Sequence, residues 1–507
     1  MLPLNFAFLR IMKKITWKKH HKWFGLLICF FMLMFCVSGI VLNHRSLVSG
    51  CEVSRKWLPG SYHLKNWNGG LLRGTTAYTA PDSSRHVLLY GNSGIWQTDS
   101  TAHSFTDFCQ GFPRGADSRN LRSVVQMPDG TLFAVSPSAL YRHNGKEWAE
   151  VTLPKEAHER LTDAAIKGDT LVVAGRSRLY VSLPPYQSFH PFTLKSPAGY
   201  NGKVSLFRTV WLLHSGELFG VIGKLVVDVV AIVFILLCIT GVIYWLMPGV
   251  MRRLRRAGQA AKGCARLLAT SLRWHNSLGR YLFVLLLFIT FTGWCLRPPV
   301  LIALAQGKVP AIPGTVLHSP NAWNDKLRML RYDDAGKDWI ISTSEGFYSL
   351  STLESVPVKI DDAPPVSVMG LNVWEKDAKG RWLAGSFSGM YVWDRMHHRS
   401  TDYFTGKEAE HTAGPPFGLL AVSGYSDDFG KPVVVEYVKG SHFAPMPAEF
   451  AWLPMSLWNL CLEIHSGRIY TFLGQGTAFY VFFAGLAVMW CLWTGWRIRL
   501  RKRGRNR

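Results

Sequence analysis

Long apolar runs without charge constrain the fold of this 507-residue chain more than any other feature. Residues 23–42 and 469–496 contain no charged side chain, and residues 225–247 contain one acid, Asp228. Each run reaches the roughly 20 residues that a helix needs to cross a hydrocarbon core of about 30 Å. The uncharged run at residues 281–296 is shorter than this. A helix that starts before residue 281 can still cross the membrane if the Arg280 side chain extends to the interface. The sequence therefore predicts four transmembrane helices in a lipid bilayer.

The formal net charge of +24 is concentrated beside these runs. Residues 1–22, 251–280 and 496–507 carry six, eight and seven Lys or Arg, and none of the three segments contains an acid. The positive-inside rule places all three, and hence both termini, on the cytoplasmic face. Basic blocks that adjoin membrane helices indicate orientation and anionic lipid, so nucleic-acid binding is not expected.

The predicted organisation alternates cytoplasmic, membrane and outer segments. The first apolar run is too long for a cleavable signal peptide, so it is expected to remain as an anchor. In chain order we predict a basic cytoplasmic N-terminus (1–22), helix one (23–42), the first half of an extracytoplasmic β domain (43–213), helix two (214–247), a basic cytoplasmic loop (248–274), helix three (275–296), the second half of the β domain (297–463), helix four (464–496) and a basic cytoplasmic tail (497–507).

The two outer segments repeat one pattern at a spacing of about 40 residues, which is typical of propeller blades. Each repeat is an apolar strand, a turn of small residues and a second strand that ends in an aromatic residue. Three repeats alone would leave open sheet edges, whereas a ring of about six removes them. We therefore predict one all-β domain, a propeller of about six blades built from both segments; two separate β-sandwiches are the alternative. The repeats are residues 86–96, 130–141, 170–180, 338–348 and 381–391, with a weaker sixth at 433–437.

Four histidines recur at matching places in the membrane segments. His21 and His275 are predicted near the cytoplasmic face, and each precedes a hydroxyl–glycine pair whose glycine lies eighteen residues on. His214 and His465 each begin the sequence His-Ser-Gly and are predicted near the outer face. Neutral imidazole is the side chain best suited to axial ligation of haem iron. The pattern therefore predicts two bis-imidazole sites stacked across the bilayer, which would carry electrons through it.

Other residues near these histidines leave alternatives open. His20 could replace His21, and His44, at the outer end of helix one, could replace either outer histidine. Gly25 and Gly279 each follow an inner histidine by one turn, which would leave room for a porphyrin. Asp228 is the acid inside an apolar run, so it is a candidate proton relay or hydrogen-bond partner of a ligand histidine, unless it reaches the headgroups. Interfacial histidines at headgroup depth are the structural alternative for the whole set.

Three stretches, residues 17–39, 227–245 and 274–279, resemble the PepSY-associated transmembrane helix family. The resemblance implies an inner-membrane protein of the iron-regulated type in bacteria, whose better understood members are di-haem reductases of ferric siderophores. In them histidines at helix ends ligate haem b, and the resemblance carries that role to the four recurring histidines only. We recognise no PepSY domain in the outer segments, where the propeller-like repeat stands instead.

The functional hypothesis is therefore a membrane reductase with two haem b groups that passes electrons outward to an extracytoplasmic acceptor, such as a ferric chelate or siderophore. The sequence lacks Gly-x-Gly-x-x-Gly after a strand, and its cytoplasmic loop is too short for a flavin domain, so quinol or a separate cytoplasmic reductase would supply electrons. Beyond the candidate ligands, the sequence identifies no catalytic residue. The alternative is a non-enzymatic, membrane-anchored propeller that binds a ligand, senses it or docks a protein partner.

Overall fold

The computed structural model describes residues 14–80, 82–154, 159–367, 369–410 and 420–503. The chain forms two compact units, each assembled from separate parts of the sequence. A helical unit contains residues 1–46, 203–318 and 458–507, and a β unit contains residues 47–202 and 319–457. The division follows the sequence pattern, because the long apolar runs lie in one unit and the strand repeats in the other.

The helices differ greatly in length, and among the described residues only some are long and apolar enough to cross a membrane. Three are long and apolar enough to do so, over Ile15–Asn43, Glu217–Arg256 and Thr477–Ile498. In chain order the α-helices are α1 (Lys14–Asn43), α2 (Arg45–Val48), α3 (Leu206–Ser215), α4 (Gly220–Arg256), α5 (Lys262–Tyr281), α6 (Phe283–Cys295), α7 (Val300–Leu304), α8 (Leu457–His465) and α9 (Thr477–Arg503).

The predicted third transmembrane helix is not one straight helix. Helices α5 and α6 meet at Leu282 with a bend of 69°, and the pair counts as a fourth crossing only if both parts form one span. The change in composition explains the break: α5 carries Arg266, Arg273 and Arg280, whereas α6 contains no charged residue. The structure therefore has three to four candidate membrane-crossing helices.

The two outer histidines also differ from the predicted arrangement. His214 and His465 were expected to begin helices two and four, but they lie at the ends of the short helices α3 and α8. Gly216 and Gly467, both with φ of +77°, follow these helices. A left-handed residue at this position ends a helix at little cost only when it is glycine. His-Ser-Gly is therefore a helix-ending sequence here.

Buried apolar side chains hold the long helices together. Ile28, Met32 and Cys36 of α1 pack with Val230, Val233 and Phe234 of α4, and with Leu286 of α6 and Val488 of α9. The first three are spaced by four residues, so they lie on one face of their helix. This cluster lies along the middle of α1, between His21 and the hydroxyl–glycine pair at residues 38–39.

Strands fill the β unit, and most belong to four-stranded antiparallel sheets in simple up-and-down order. A short strand β1 (Glu52–Val53) pairs with β26 (Met455–Ser456). The four-stranded sheets are β2–β5 (Gly74–Thr79, Arg85–Gly91, Gly94–Thr98, Thr106–Asp107), β6–β9 (Ser123–Gln126, Leu132–Val135, Leu140–His143, Trp148–Val151), β10–β13 (Leu161–Lys167, Thr170–Gly175, Leu179–Ser182, His190–Phe192), β16–β19 (Leu327–Asp333, Asp338–Thr343, Gly346–Leu350, Val358–Ile360) and β20–β23 (Val373–Lys376, Trp382–Ser386, Gly389–Asp394, Arg399–Asp402). Strand β24 (Val422–Ser426) pairs with β25 (Val433–Glu436), and in the helical unit β14 (Lys203–Ser205) pairs with β15 (Lys308–Pro310).

The predicted strand–turn–strand repeats coincide with hairpins in the structure. The five stronger repeats correspond to β3–β4, β7–β8, β11–β12, β17–β18 and β21–β22, and the weaker one begins with β25. Three of these hairpins turn through Gly94, Gly346 and Gly389, whose φ angles of 108°, 115° and 133° favour glycine. The expectation of a large all-β region is therefore confirmed.

Buried apolar clusters lie between neighbouring sheets. One cluster joins each sheet to the next along the chain; for example, Phe133 and Leu140 of the second sheet pack with Val173 and Tyr180 of the third. A further cluster brings Leu89 of the first sheet together with residues of β25 in the last. The sheets thus pack face to face through residues from both sides of each central strand.

Candidate functional site

The structure brings the four recurring histidines together as two pairs. The ring centres of His21 and His275 are 5.9 Å apart, and those of His214 and His465 are 6.1 Å apart. Each pair joins one residue from the first half of the membrane sequence to one from the second. The two pairs group the same residues as the inner and outer histidines of the sequence pattern, and their role as haem ligands stays a prediction.

All four rings are held by the same two contacts. In each, the Nδ1 atom lies 2.9–3.1 Å from a main-chain carbonyl oxygen and 3.0–3.3 Å from the hydroxyl oxygen of the residue three positions later. The carbonyl and hydroxyl residues are Cys491 and Thr494 for His21, Leu237 and Thr240 for His275, Ile289 and Thr292 for His214, and Phe35 and Ser38 for His465.

These contacts fix the protonation pattern of the imidazoles. A carbonyl oxygen only accepts hydrogen bonds, so Nδ1 must carry the proton and donate it. In a neutral ring the Nε2 atom then keeps its lone pair. Metal-binding histidines in proteins are commonly oriented by a hydrogen bond of this kind from the second ring nitrogen. The arrangement is therefore that of an oriented ligand.

A glycine directly after each hydroxyl residue gives the ring its space. A Cβ atom at Gly293 would lie 2.6 Å from Cε1 of His214, and one at Gly495 would lie 2.9 Å from Cε1 of His21. The corresponding distances are 3.1 Å from Gly39 to His465 and 3.5 Å from Gly241 to His275. At three of the four positions a side chain would press on the imidazole, so these glycines are part of the site.

The ring separations fit a metal ion between two imidazoles. A metal–imidazole bond is about 2 Å long and the ring centre lies about 1 Å behind the nitrogen, so two imidazoles on opposite sides of one ion have centres about 6 Å apart. The observed 5.9 and 6.1 Å agree with this value. Within the described residues no group of three or more His, Cys, Asp or Glu could hold a metal ion. Two neutral imidazoles at this separation are a donor set that fits ligation of a haem iron.

Gly25 and Gly279 lie where two helices approach each other. A Cβ atom at Gly25 would lie 3.5 Å from Sγ of Cys491, and one at Gly279 would lie 3.7 Å from Cδ2 of Leu237. Both distances are ordinary van der Waals contacts. Cys491 and Leu237 are also the residues whose carbonyls hold the inner histidines, so the two glycines bring each histidine helix close to its anchor. Their predicted role in admitting a porphyrin stays a prediction.

The two alternative ligands lie in other surroundings. The His20 ring packs beside Phe24 and Trp490, at centre distances of 6.2 and 6.0 Å. His44 places its Nε2 atom 2.7 Å from a carboxylate oxygen of Asp228, so that nitrogen is already engaged. Neither histidine joins one of the two imidazole pairs.

Asp228 is buried and forms a small polar group with α1. Besides its contact with His44, its other carboxylate oxygen accepts a hydrogen bond of 3.1 Å from the side-chain amide of Asn43. The same amide donates to the carbonyl of Ser215, which adjoins His214, at 3.3 Å. Asp228 is thus linked to the outer pair through Asn43 and the chain, with no direct bond to a paired histidine.

The sequence did not predict that histidines of the first two apolar segments are held by residues of the last two, and the reverse. The pairs at residues 38–39 and 292–293 stand out in the sequence by their spacing from His21 and His275, which does not show what they contact, and Thr494-Gly495 has no such spacing. Each hydroxyl–glycine pair holds a histidine of the other half. A sequence signal for these contacts was available, because each of the four apolar runs contains a hydroxyl–glycine pair. The fourth pair is Thr240-Gly241.

A protein-family model covers nearly the whole length of the molecule. The model is described as the PepSY-associated TM region, and it matches residues 19–502. The chain belongs to this family. The match includes all four paired histidines, their anchors, and the β unit inserted between the PepSY-associated helices.

Other comparisons give distant similarity. No curated protein matches the chain. The extracellular domain of a one-component system from B. thetaiotaomicron is 7% identical with a TM-score of 0.33, covering 76% of this chain and 36% of that one. Extracellular domains of two hybrid two-component systems from B. thetaiotaomicron are each 10% identical, with TM-scores of 0.30 and 0.31, covering 75% of this chain and 38% and 40% of theirs. The chain therefore spans well under half the length of these proteins.

Proposed function

We propose that this PepSY-associated protein holds two haems across the cytoplasmic membrane and passes electrons outward to an extracytoplasmic acceptor. One observation carries the proposal. The four histidines form two pairs whose ring centres are about 6 Å apart, the distance that two metal–imidazole bonds require. In every ring the Nδ1 atom is hydrogen-bonded to a main-chain carbonyl. Such a uniform arrangement in four separate helices favours a shared ligand over four unrelated interfacial histidines.

The residues of the chain would bind and orient the cofactor. His21 and His275 would be the axial ligands of an inner haem, and His214 and His465 those of an outer haem. A bound haem supplies a one-electron carrier within a medium that excludes ions. The carbonyl anchors keep each ring in one tautomer, and the hydroxyl contacts limit its rotation. The chain thus supplies a pre-oriented ligand at each end of the route.

Charge distribution supports the direction of the route. By the positive-inside rule, the basic segments 1–22, 251–280 and 496–507 favour an orientation with the inner pair toward the cytoplasm and the β unit in the periplasm. Electrons would then enter from quinol or from a separate cytoplasmic reductase. They would leave at the outer pair to an acceptor such as a ferric chelate or siderophore, whose reduction to Fe(II) weakens binding by hard oxygen donors.

We also propose that six sheets of the β unit, the five four-stranded ones and the sheet of β24 and β25, are the blades of one propeller. Each of five sheets has four antiparallel strands in sequential order, and the sixth contains β24 and β25 within the described residues. Buried clusters between successive sheets, and between the last and the first, support a closed ring. Closure removes the open edges that three sheets in each half would leave.

The first experiment is a reduced-minus-oxidised absorption spectrum of the purified protein, with a haem count per chain. We expect two b-type haems. His21→Ala and His275→Ala should each remove one haem, and His214→Ala and His465→Ala should each remove the other, because a bis-imidazole site needs both ligands. Protein made with ample haem that contains none would overturn the proposal.

A second candidate function is ligand binding or sensing by the β unit. The observation that favours it is a small cavity of about 70 Å³ between strands of four sheets, lined in part by charged residues. Among them are Arg73, Arg331, Glu375, Lys376 and Asp427. A haem-free protein whose β unit is stabilised by a small charged ligand would favour this function over electron transfer.

A further inference from the structure

The small cavity of the β unit contains an arginine whose guanidinium has no acidic partner. Arg73 lines this cavity of about 70 Å³. Its Nε atom is buried without a hydrogen-bond partner, and its Nη2 atom donates only to the neutral amide oxygen of Asn92, at 3.3 Å. Among the described residues no carboxylate lies within ion-pair distance of this guanidinium. A buried donor without an acceptor costs free energy, so this position is suited to an anion.

The backbone places Arg73 at one end of the cavity, together with Arg122 and Asn372. Each of the three directly precedes the first strand of its sheet, and all three line the cavity. Each also donates its main-chain N–H to a carbonyl of the second strand at 2.7–2.8 Å; the acceptors are Tyr90, Val135 and Gly385. The three residues therefore occupy equivalent positions in three sheets, and two of them are arginines.

The acids that line the cavity lie toward its other end. Glu375 follows Asn372 by three residues along its strand, which is a distance of about 10 Å. Asp427 is two residues beyond Tyr425, whose N–H donates to the carbonyl of Arg73 at 3.1 Å. Both acids are exposed. The cavity thus has an arginine end and an acidic end.

Basic residues at the acidic end already have acidic partners. Nη1 of Arg331 lies 2.5 Å from the buried carboxylate of Asp163, and its Nη2 atom lies 3.8 Å from Glu375. Nζ of Lys376 lies 2.9 Å from Asp333. Charges at this end are therefore balanced within the chain, whereas the guanidinium of Arg73 has no such acid.

Tyr90 supplies a second donor beside Arg73. It pairs with Gly74 across β2 and β3, and a Cβ atom at Gly74 would lie 2.5 Å from its hydroxyl oxygen. The glycine therefore leaves the space that the hydroxyl occupies. In the part of the chain that the structure describes, this hydroxyl has no hydrogen-bond partner. A guanidinium and a phenol are both donors, and an oxyanion accepts from both.

The volume of the cavity limits the size of the anion. A cavity of about 150 Å³ holds benzene, which has six non-hydrogen atoms. A cavity of about 70 Å³ therefore admits about three or four such atoms. Formate and acetate are of this size, whereas a ferric siderophore is far larger. The cavity is therefore distinct from any site for a ferric siderophore.

We propose that this cavity binds a small carboxylate of the size of formate or acetate, with Arg73 holding the two carboxylate oxygens and Tyr90 donating a further hydrogen bond. A guanidinium matches a carboxylate with two parallel hydrogen bonds, which is a geometry that a monatomic anion does not use. The proposal rests on the second candidate function, for which it names the class of ligand, and it does not depend on haem.

The test measures binding of radiolabelled acetate to the full-length purified protein by equilibrium dialysis in chloride buffer. We expect about one acetate per chain. Arg73→Met should weaken binding about tenfold or more, and Tyr90→Phe should weaken it by a smaller factor, because hydrogen bonds to a charged group are lost. Arg85→Gln removes an exposed charge from the same sheet as a matched control, and it should bind acetate like the wild type.

Thermal unfolding without acetate separates a ligand-binding role of Arg73 from a structural one. Arg73→Met removes a buried donor that lacks an acceptor, so its unfolding temperature should be no lower than that of the wild type. Tyr90→Phe keeps the ring and removes only the hydroxyl, so it should also fold. A large loss of stability in Arg73→Met would show that the arginine supports the fold, and would overturn the inference.

The binding outcomes separate this inference from the proposed functions. A wild-type protein that binds no acetate at millimolar concentration would overturn the inference, as would equal binding by Arg73→Met. If chloride displaces acetate at equal concentration, the site accepts any small anion and the carboxylate class is overturned. None of these results alters the haem count, which tests electron transfer separately. Stabilisation of the β unit by a different ligand would keep the second candidate function while the carboxylate site fails.

Discussion

The inner and outer histidine pairs make the same contacts but are presented by different kinds of backbone. His21 and His275 lie inside the long helices α1 and α5. His214 and His465 lie at the ends of helices of ten and nine residues, each followed by a left-handed glycine. The position of the inner histidines is therefore set by the packing of long helices, and the position of the outer histidines is set by tight turns.

The residues that the two pairs have in common show which part of the chain determines the site. The element common to both pairs is the carbonyl, hydroxyl and glycine on the opposite helix, rather than the segment that carries the histidine. Since each hydroxyl–glycine pair holds a histidine of the other half, neither half can form a site alone. The inner pair should tolerate local changes better than the outer pair, because a long helix is held at many points and a tight turn at few.

The largest effect is expected from Gly216→Ala, which acts only on the outer pair. A Cβ atom there would lie 2.1 Å from the carbonyl oxygen of Gly223, a backbone atom that cannot move aside alone, and the φ of +77° adds strain. The turn must shift and carry His214 with it. Thermal unfolding and the haem count should show lower stability and loss of one haem. Gly314→Ala is the matched control, because its φ is +75° but nothing lies within 4 Å of its Cβ; equal damage in both would mean that strain, not the clash, decides.

A graded effect is expected from substitution of the glycines that contact the rings. Gly293→Ala places a methyl group 2.6 Å from Cε1 of His214, whereas Gly241→Ala places one 3.5 Å from Cε1 of His275. The outer ring must move and the inner ring need not. Gly293→Ala should therefore lose most of one haem, and Gly241→Ala should retain both. The same haem content in both variants would contradict the assignment of these glycines to the site.

Loss of a hydroxyl contact should matter less, and about equally at the two pairs. Thr292→Val and Thr494→Val keep the side-chain shape and remove contacts of 3.3 Å to His214 and His21. Each imidazole keeps its carbonyl acceptor, so the cost is about 1 kcal/mol. Both variants should bind two haems, with a small shift in the midpoint potential of the affected one. Complete haem loss in either would show that the hydroxyl, rather than the carbonyl, orients the ring.

The features that could be predicted from the sequence are those that depend on local residue patterns. The hairpins of the β unit follow from alternating apolar strands and turn glycines such as Gly94 and Gly346, which act over a few residues. The pairing of the histidines followed from the duplication of their sequence context. The crossing helices followed from length and composition, except at Leu282, where a polar helix meets an apolar one and the chain bends.

What the sequence left open depends on contacts between distant residues. His21 is anchored by Cys491, 470 positions away, and His465 by Phe35, 430 positions away. No periodicity within one helix encodes such a partner. The helix-ending role of Gly216 and Gly467 was also missed, because a glycine beside an apolar run fits either a helix start or a helix end until the turn is seen.

The smallest effect on haem is expected from Asp228→Asn, which tests whether the polar group beside the outer pair belongs to it. The change weakens the 2.7 Å contact with His44, whose side chain is 35% exposed, so solvent screening limits the loss of stability to about 1 kcal/mol. Asn43 still reaches the carbonyl of Ser215. Thermal unfolding should therefore shift slightly while the haem count stays at two, and His44→Gln should behave alike. A variant that instead loses the outer haem would make Asp228 a support of the His214 ligand, so that the outer pair would depend on a charge as well as on its turns.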